Sequence, residues 1–193
     1  MQNDSGLILL TETYQSNVII STMSQIYSIC LKDQERNDSS VNEFEGEGLV
    51  VKINNGFKLR SWNIEKGAIS SLFAYDECLV VGTFHGSLLL YDYDGELEKI
   101  LETSQEQPEK SIKSEYENRV LQIKKNQNWI IALKKRHVKL IDMENPSKTK
   151  KKSLPSSIDK GMIYITNENE IVVVHRDALD RAFLLHRLSL PQL

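Results

Sequence analysis

Residues 81–92 read VGTFHGSLLLYD, and residues 131–142 read IALKKRHVKLID. The two stretches align without a gap. In each of them a strand-like run enters a tight turn, and a second alternating run ends in a large apolar residue followed by Asp. Alternation of apolar and polar residues with a period of two is typical of a half-buried strand. The pair therefore predicts a β-hairpin that occurs more than once in the chain.

The same pattern continues on both sides of these stretches. Residues 68–75 precede the first copy as residues 120–125 precede the second, and further strand-like runs occur at 161–165 and 170–174. With an upstream set of apolar runs, these signals indicate four repeat units of about 40 to 60 residues. We expect the units to cover residues 1–64, 65–105, 116–155 and 158–190 within a single domain of residues 1–193.

No part of the chain shows the periodicity of a long amphipathic helix. Such a helix carries an apolar stripe at positions i, i+3, i+4 and i+7, which it buries against its neighbours. The nearest candidate, residues 178–190, is explained equally well by a strand, a turn and a second strand. The fold class predicted from the sequence is therefore all-β.

Residues 81–92 resemble the centre of a WD-repeat blade, in which a Ser-Gly-Ser-x-Asp-Gly turn precedes an alternating strand that ends in Trp-Asp. His85 departs from this pattern because it occupies the position of the family's Asp, and the chain has no Trp-Asp pair. The resemblance to the WD-repeat, or β-propeller, family is best at residues 68–105 and 119–144. The positions of the first stretch that follow the pattern are Gly82, Thr83, Gly86, Ser87, Leu88, Leu90, Tyr91 and Asp92.

The resemblance implies a partial or small β-propeller of about four blades of antiparallel strands. It also implies a non-enzymatic scaffold that mediates protein–protein interactions within a larger intracellular complex, such as a ubiquitin-ligase adaptor, a trafficking coat or a chromatin complex. A seven-bladed ring needs about 300 residues. We therefore expect this chain to belong to a longer polypeptide, to be completed by another protein, or to fold as a degenerate small propeller or sandwich.

Charge is distributed unevenly along the chain. Residues 119–160 contain twelve Lys or Arg residues against three acidic residues, whereas the whole chain has a net charge of -3. Two basic runs lie within this region: Lys134-Lys135-Arg136 at a predicted hairpin turn, and residues 148–152 in the predicted loop that follows. We expect both runs to project from one neighbourhood of a blade.

Several interpretations of this basic 134–152 region are open. It is a solvated loop, it pairs with the chain's own acidic segment at 96–117, it binds an acidic segment of a protein partner, or it binds nucleic acid. No aromatic residue is interleaved with the lysines, so the sequence offers no platform for base stacking. The partner-binding residues predicted from the turns and loops are Phe84, His85, Lys134, Lys135, Arg136, Lys150, Lys151, Lys152, Arg176 and Asp177.

The sequence contains no constellation of residues typical of an enzyme. His175-Arg176-Asp177 matches the start of a kinase catalytic loop, but the 16 residues that follow contain neither its Asn nor an Asp-Phe-Gly motif. The four histidines are 52, 38 and 11 residues apart, and these spacings match no compact metal-ligand motif. We therefore predict that the protein is not an enzyme and has no catalytic, cofactor-binding or metal-binding residue and no small-molecule substrate.

The composition is that of a water-soluble protein, with 40% hydrophobic and 26% charged residues. The longest apolar runs are far shorter than the ~20 residues needed to span a bilayer, and the first residues lack the pattern of a secretory signal. Cys30 and Cys78 lie in apolar runs, where we expect small buried hydrophobic residues rather than a redox or metal pair. These features favour a cytoplasmic or nuclear protein without membrane insertion.

Three polar stretches, residues 32–48, 102–118 and 145–157, are predicted to be surface loops. The side chains expected to point between neighbouring blades are Val81, Leu88, Leu90, Ile131, Leu140 and Val173.

Overall fold

A computed structural model gives the fold of the chain. Strands and turns make up the part that it describes, and no helix occurs there. Among these residues there is accordingly no helix long and apolar enough to cross a membrane. The chain divides into two compact units, the first of residues 1–81 and 89–100 and the second of residues 82–88 and 101–193. The described residues are 10–15, 17–30, 44–46, 49–54, 57–76, 78–103, 118–158, 160–166, 170–176 and 183–189.

Within the described residues, seventeen strands form four antiparallel sheets. The first sheet contains β1 (Leu10–Tyr14), β2 (Asn17–Ser21), β3 (Gln25–Cys30), β4 (Phe44–Gly46), β5 (Leu49–Asn54) and β6 (Phe57–Asn63). The second contains β7 (Ile69–Tyr75), β8 (Cys78–Thr83), β9 (Leu88–Asp92) and β10 (Leu97–Glu102). The third contains β11 (Val120–Asn126), β12 (Trp129–Lys134), β13 (His137–Asp142) and β14 (Thr149–Ser153). The fourth contains β15 (Gly161–Ile165), β16 (Glu170–Arg176) and β17 (Phe183–Ser189).

The order of strands follows the chain closely. It is β1-β2-β3-β6-β5-β4 in the first sheet, β10-β9-β8-β7 in the second, β11-β12-β13-β14 in the third and β15-β16-β17 in the fourth. The stretches at 81–92 and 131–142 form the corresponding hairpins β8–β9 and β12–β13 of two successive sheets. The predicted all-β fold class is confirmed.

Two of the predicted surface loops contain strands. In the stretch 32–48, β4 pairs with β5, and in the stretch 145–157, β14 pairs with β13. The loop prediction was wrong at these positions because main-chain hydrogen bonds to one neighbour hold an edge strand, whose side chains can all remain in water. Residues 31–43 and 104–117, which make up most of the first two predicted loops, lie outside the described residues.

The core of the first unit combines residues of the first and second sheets, where β1 packs against β7. Gly95 lies under the indole ring of Trp62 with a φ of +92°, and a Cβ at this position would be 2.8 Å from the ring. Only glycine meets both constraints without strain. The buried members of this core are Ile19, Ile26, Trp62, Ile64, Ile69, Leu72, Ala74, Leu79, Val81, Leu89 and Tyr91.

The core of the second unit combines residues of the third and fourth sheets, where β11 packs against β15. All six side chains expected to point between blades are buried, although Leu88 and Leu90 lie on the opposite face of β9 from Leu89 and outside both of these clusters. The buried members of the second core are Trp129, Ile131, Leu133, Val138, Leu140, Leu154, Ile158, Ile163, Ile171 and Val173.

The Asp that ends each aligned stretch has the same role in both hairpins. The Oδ1 atom of Asp92 accepts hydrogen bonds from the main-chain N–H groups of Asp94 and Glu96, at 2.9 and 2.8 Å. The Oδ1 atom of Asp142 accepts from the N–H groups of Glu144 and Asn145, at 3.0 and 3.4 Å. A carboxylate that bonds to the main chain just ahead of it stabilises a turn. The repeated Asp therefore turns the chain from the third strand of a sheet toward the fourth.

Candidate functional site

The two basic runs lie side by side on the third sheet, as predicted. Lys134 ends β12, and Lys135 and Arg136 form the turn between β12 and β13. The carbonyl groups of these two turn residues bind the chain that follows β14: the N–H of Leu154 donates to Arg136 at 2.8 Å, and the N–H of Ile158 donates to Lys135 at 2.7 Å. Residues 149–152 of the second run lie in β14, which pairs with β13 along its whole length. Main-chain hydrogen bonds thus hold both runs in the same sheet.

Lys134 does not contribute to the exposed part of this surface. Its side chain is 3% exposed, and its Nζ atom donates to the carbonyl of Gly86 at 3.0 Å and to the Oε1 atom of Glu102 at 2.8 Å. Burial lowers the pKa of Lys134, while the carboxylate of Glu102 opposes this effect. Lys134, which the sequence predicts as a partner contact, is therefore buried in the free chain, because it is the last residue of a strand buried on both faces.

Glu102 binds a second lysine of the third sheet. Its Oε1 atom lies 2.9 Å from Nζ of Lys139, so that one carboxylate stands between two ammonium groups. The pairing of the basic region with the chain's own acidic segment is therefore observed at this residue. The signal available in the sequence was only the acidic character of the segment, since Glu102 and Lys134 are 32 residues apart.

His137 lies within this charged cluster at the start of β13. The residue is half-buried, and burial together with the ammonium groups of Lys151 and Lys134 lowers its pKa to about 4. The imidazole is therefore neutral at pH 7. The cluster carries positive charge from its lysines and none from this histidine.

The outer strand β14 carries the accessible positive charge. All five of its residues, with the sequence TKKKS, are exposed. Lys150 lies opposite Leu140 and Lys152 opposite Val138, so these two lysines share the face of the sheet that also carries the second core. Lys151 lies opposite Lys139 on the other face. Among the described residues, no carboxylate forms a salt bridge with any of these three lysines. We refer to Lys150, Lys151 and Lys152 as the lysine edge.

An aromatic ring lies beside the lysine edge, although the sequence showed none between the lysines. Nζ of Lys150 is 5.9 Å and Nζ of Lys148 is 5.8 Å from the ring centroid of Trp129. Trp129 is the first residue of β12 and lies opposite Asp142, whereas Lys150 lies opposite Leu140. Because residues 140 and 142 lie on the same face of β13, Trp129 and Lys150 also share that face. Trp129 is only 6% exposed, so its ring can attract ammonium groups but offers no open face for a stacked base.

The remaining predicted contact residues lie apart from the lysine edge or outside the described residues. Phe84 is half-buried, with the guanidinium carbon of Arg119 4.3 Å from its ring centroid, and His85 beside it is exposed. Arg176 ends β16 and pairs with the first residue of β17. Asp177 lies outside the described residues. Lys135 is half-buried and Arg136 is exposed, next to the lysine edge.

The two cysteines are thiols at strand ends. Cys30 ends β3 and Cys78 starts β8, and both are half-buried rather than fully buried as predicted. The Sγ atom of Cys78 lies 3.6 Å from Oε2 of Glu98. Burial and the negative charge of Glu98 raise the pKa of this thiol to about 11. The thiol is therefore protonated at pH 7 and a poor nucleophile.

A pair of histidines joins two strands of the fourth sheet. The Nε2 atoms of His175 and His186 are 3.0 Å apart, and the rings are stacked with their centroids 5.1 Å apart. Burial and the neighbouring His175 lower the pKa of His186. Within the described ranges, no group of three or more His, Cys, Asp or Glu side chains is placed to hold a metal ion. The pair is thus a hydrogen bond between two imidazole rings.

The comparisons with known proteins concern the fold. No family model and no curated protein matches the chain. Among solved structures, the computationally designed Ika4 protein is similar with a TM-score of 0.59 and 12% sequence identity, over 98% of this chain and 96% of that one. The Neurospora crassa Pan2 WD40 domain is similar with a TM-score of 0.46 and 14% identity, over 95% of this chain and 61% of that one.

The computationally designed Ika8 protein is also similar, with a TM-score of 0.44 and 16% identity, over 92% of this chain and 58% of that one. The chain therefore spans about three fifths of the Pan2 domain and of Ika8. The likeness to Ika4 shows the fold alone. The described residues form four successive antiparallel sheets, and the fold is all-β and propeller-like, with the sheets corresponding to about four blades.

Proposed function

We propose that this chain is a non-enzymatic, WD-repeat-like scaffold that binds other proteins inside a larger complex of the cytoplasm or the nucleus. The single observation that carries the proposal is the lysine edge: an exposed strand with three consecutive lysines on a sheet whose two inner strands are mostly buried. A rigid core under an exposed charged strand is suited to holding a partner in one place. The resemblance at residues 68–105 and 119–144 supports the same role.

The partner that this surface favours is an acidic segment of another protein. Three adjacent ammonium groups attract carboxylates by Coulomb forces that act over about 10 Å at 0.1 M ionic strength. Glu102 supports this choice, because within the chain a carboxylate already binds Lys134 and Lys139 of the same sheet. The three lysines of the lysine edge are exposed and accessible to a second molecule.

Nucleic acid is the alternative ligand for the basic 134–152 region. The positive charge itself favours it, since phosphates bind lysines and release counterions. The burial of Trp129 weighs against it, because single-stranded nucleic acid usually gains ~1 to 3 kcal/mol per base from stacking on an aromatic side chain. We therefore place the acidic protein segment first.

Charge reversal tests the proposal. Lys151→Glu with Lys152→Glu replaces two positive charges of the lysine edge by negative ones, and Lys66→Glu with Lys160→Glu is a matched control at two other exposed lysines. We expect a fluorescent acidic peptide, such as an oligoglutamate, to bind the unmodified protein and the control, and to bind the edge variant at least about tenfold more weakly.

The same titration includes a single-stranded oligonucleotide. Equal binding of the peptide to both variants, or binding of the oligonucleotide alone, contradicts the proposed function. Affinity capture from a native lysate then identifies proteins that the control retains and the edge variant loses. If no stoichiometric protein is retained by the control, the scaffold role is wrong.

A further inference from the structure

The hydrogen-bonding pattern of β14 defines which of its main-chain groups face outward. The N–H of Leu154 donates to the carbonyl of Arg136 at 2.8 Å, and the N–H of Asp142 donates to the carbonyl of Lys148 at 3.2 Å. Both bonds join residues that lie directly opposite one another in the register that pairs β13 with β14. In an antiparallel pair, opposite residues alternate between hydrogen-bonded and non-hydrogen-bonded pairs.

This alternation determines the direction in which the main-chain groups of residues 149–153 point. Lys150 and Lys152 belong to the hydrogen-bonded pairs, so their N–H and C=O groups point toward β13. Thr149, Lys151 and Ser153 belong to the other pairs, so their N–H and C=O groups point away from the sheet. Among the described residues no strand lies on that side of β14. The outer edge thus presents three residues with main-chain donors and acceptors in the spacing that a further strand requires.

Charge decides which strand can occupy this edge. A second copy of the chain, paired edge to edge, would bring lysines of one β14 against lysines of the other, and like charges on facing strands are destabilising. This repulsion is also how lysine on an edge strand prevents aggregation. The edge of the second sheet, β10, differs because its sequence LEKILE mixes both signs. The lysine edge therefore disfavours pairing with the β14 strand of a second copy and favours a strand of opposite charge.

The arrangement of the lysines also matches the geometry of a neighbouring strand. Lys150 and Lys152 share one face of the sheet and Lys151 lies on the other, so acidic residues at successive positions of a guest strand would each meet a lysine. Lys134 and Lys139, farther inside the sheet, already bind Glu102. The positive charge that remains for a guest is thus concentrated on the outermost strand.

We propose that an acidic, extended segment of a protein partner binds by adding a fifth strand to the third sheet, hydrogen-bonded to Thr149, Lys151 and Ser153. This inference rests on the proposed function and makes it specific: the main chain of β14 supplies affinity and register, and the three lysines select an acidic sequence. It distinguishes strand addition from attraction to a diffuse basic patch, in which the backbone of the partner would have no role.

The test compares a parent peptide with two methylated versions of it on the unmodified protein. The parent is a peptide of about eight residues with three successive Glu residues between Val residues, because strands of that length are typical and valine favours the extended conformation. The two methylated versions have the same sequence, and one carries N-methyl groups on the odd-numbered amides and the other on the even-numbered amides. One of these two versions lacks the N–H donors that face β14, whereas its side chains and charge stay the same. We expect that version to bind on the order of tenfold or more weakly, since each lost hydrogen bond weakens binding.

A protein variant provides the complementary test. Lys151→Pro removes the outward N–H of β14 and leaves the hydrogen bonds to β13 in place, a position where an edge strand tolerates proline. Lys151→Ala is its matched control, since it removes the same charge and retains the N–H. We expect Lys151→Ala to weaken the peptide by about threefold and Lys151→Pro by on the order of tenfold beyond that. Circular dichroism and thermal unfolding verify that both variants are folded.

The outcomes separate this inference from the proposed function. If both methylated peptides bind as tightly as the parent, and charge reversal at Lys151 and Lys152 still abolishes binding, strand addition is wrong and the basic surface remains a protein-binding site. If neither the parent peptide nor oligoglutamate binds, both proposals fail, and the lysines serve only to protect the edge from self-association. Tighter binding of the oligonucleotide than of any peptide overturns both in favour of nucleic acid.

Discussion

The ammonium group of Lys134 lies 2.8 Å from the carboxylate of Glu102, and only 3% of the lysine side chain is exposed. The carbonyl of Gly86 accepts a second hydrogen bond from the same ammonium group, at 3.0 Å. A buried charge with these partners is compensated, whereas the same charge without its carboxylate is not. The pair explains why one of the lysines in the basic region stabilises the fold instead of contacting a partner.

Loss of this ion pair should destabilise the protein strongly. Glu102→Gln leaves the Lys134 ammonium without its carboxylate, and we expect the free energy of unfolding to fall by about 3 kcal/mol in a urea titration. Glu102→Gln combined with Lys134→Met removes the buried charge altogether and should recover part of the loss. If the double variant is less stable than Glu102→Gln alone, the charge of Lys134 is not what destabilises the single variant.

Stability should depend on pH through His137. The folded-state pKa of His137 is about 4 and its ordinary value is 6.5, so between these values the unfolded chain binds more protons than the folded one. The stability present above pH 6.5 is therefore lost as the pH falls, and the loss levels off near pH 4.

Urea titrations across this range, with NMR titration of the imidazole, measure the effect. Lys151→Met removes one of the charges that lower the pKa of His137, so the pKa should move back toward its ordinary value and the loss of stability should become smaller. An unchanged imidazole titration in Lys151→Met contradicts the electrostatic explanation. A loss of stability that is equally large in His137→Gln shows that other groups cause it.

The buried faces of the hairpins should tolerate truncation poorly. Ile131 is fully buried in the second core, and Ile131→Ala should lower the free energy of unfolding by about 2 to 4 kcal/mol because it leaves a cavity. Leu185 is 55% exposed in the fourth sheet, and Leu185→Ala should change stability by less than about 0.5 kcal/mol. If chemical denaturation shows equal losses of the free energy of unfolding in the two variants, the assignment of Ile131 to a buried face and of Leu185 to an exposed face is wrong.

The Asp that ends each hairpin should act through its Oδ1 atom. Asp142→Ala removes the acceptor for Glu144 and Asn145 and should destabilise the protein by about 1 to 2 kcal/mol. Asp142→Asn retains an oxygen at this position and should recover most of the loss. Thermal unfolding of the two variants, and of the same pair at Asp92, tests whether the repeated residue has one role in both sheets. If Asp142→Asn is as unstable as Asp142→Ala, the hydrogen-bonding role of Asp142 is wrong.

Local sequence determined the hairpins of this protein. Alternation of apolar and polar residues, a tight turn and a closing Asp lie within a dozen residues at 81–92 and again at 131–142, and such signals act between neighbours along the chain. The same local pattern identified side chains that are buried, including Ile131 and Leu140. The all-β class and the proximity of the two basic runs followed from it.

The role of each lysine was decided only by tertiary structure. Lys134 is buried because it ends a strand covered on both faces and meets Glu102, which is 32 residues away in sequence. Residues 149–153, predicted as a loop, form a strand because β13 offers main-chain partners, and Trp129 reaches the lysines only across three strands. Sequence patterns record which residues prefer a strand or a turn, but burial, ion pairing and exposure depend on neighbours that only the folded chain brings together.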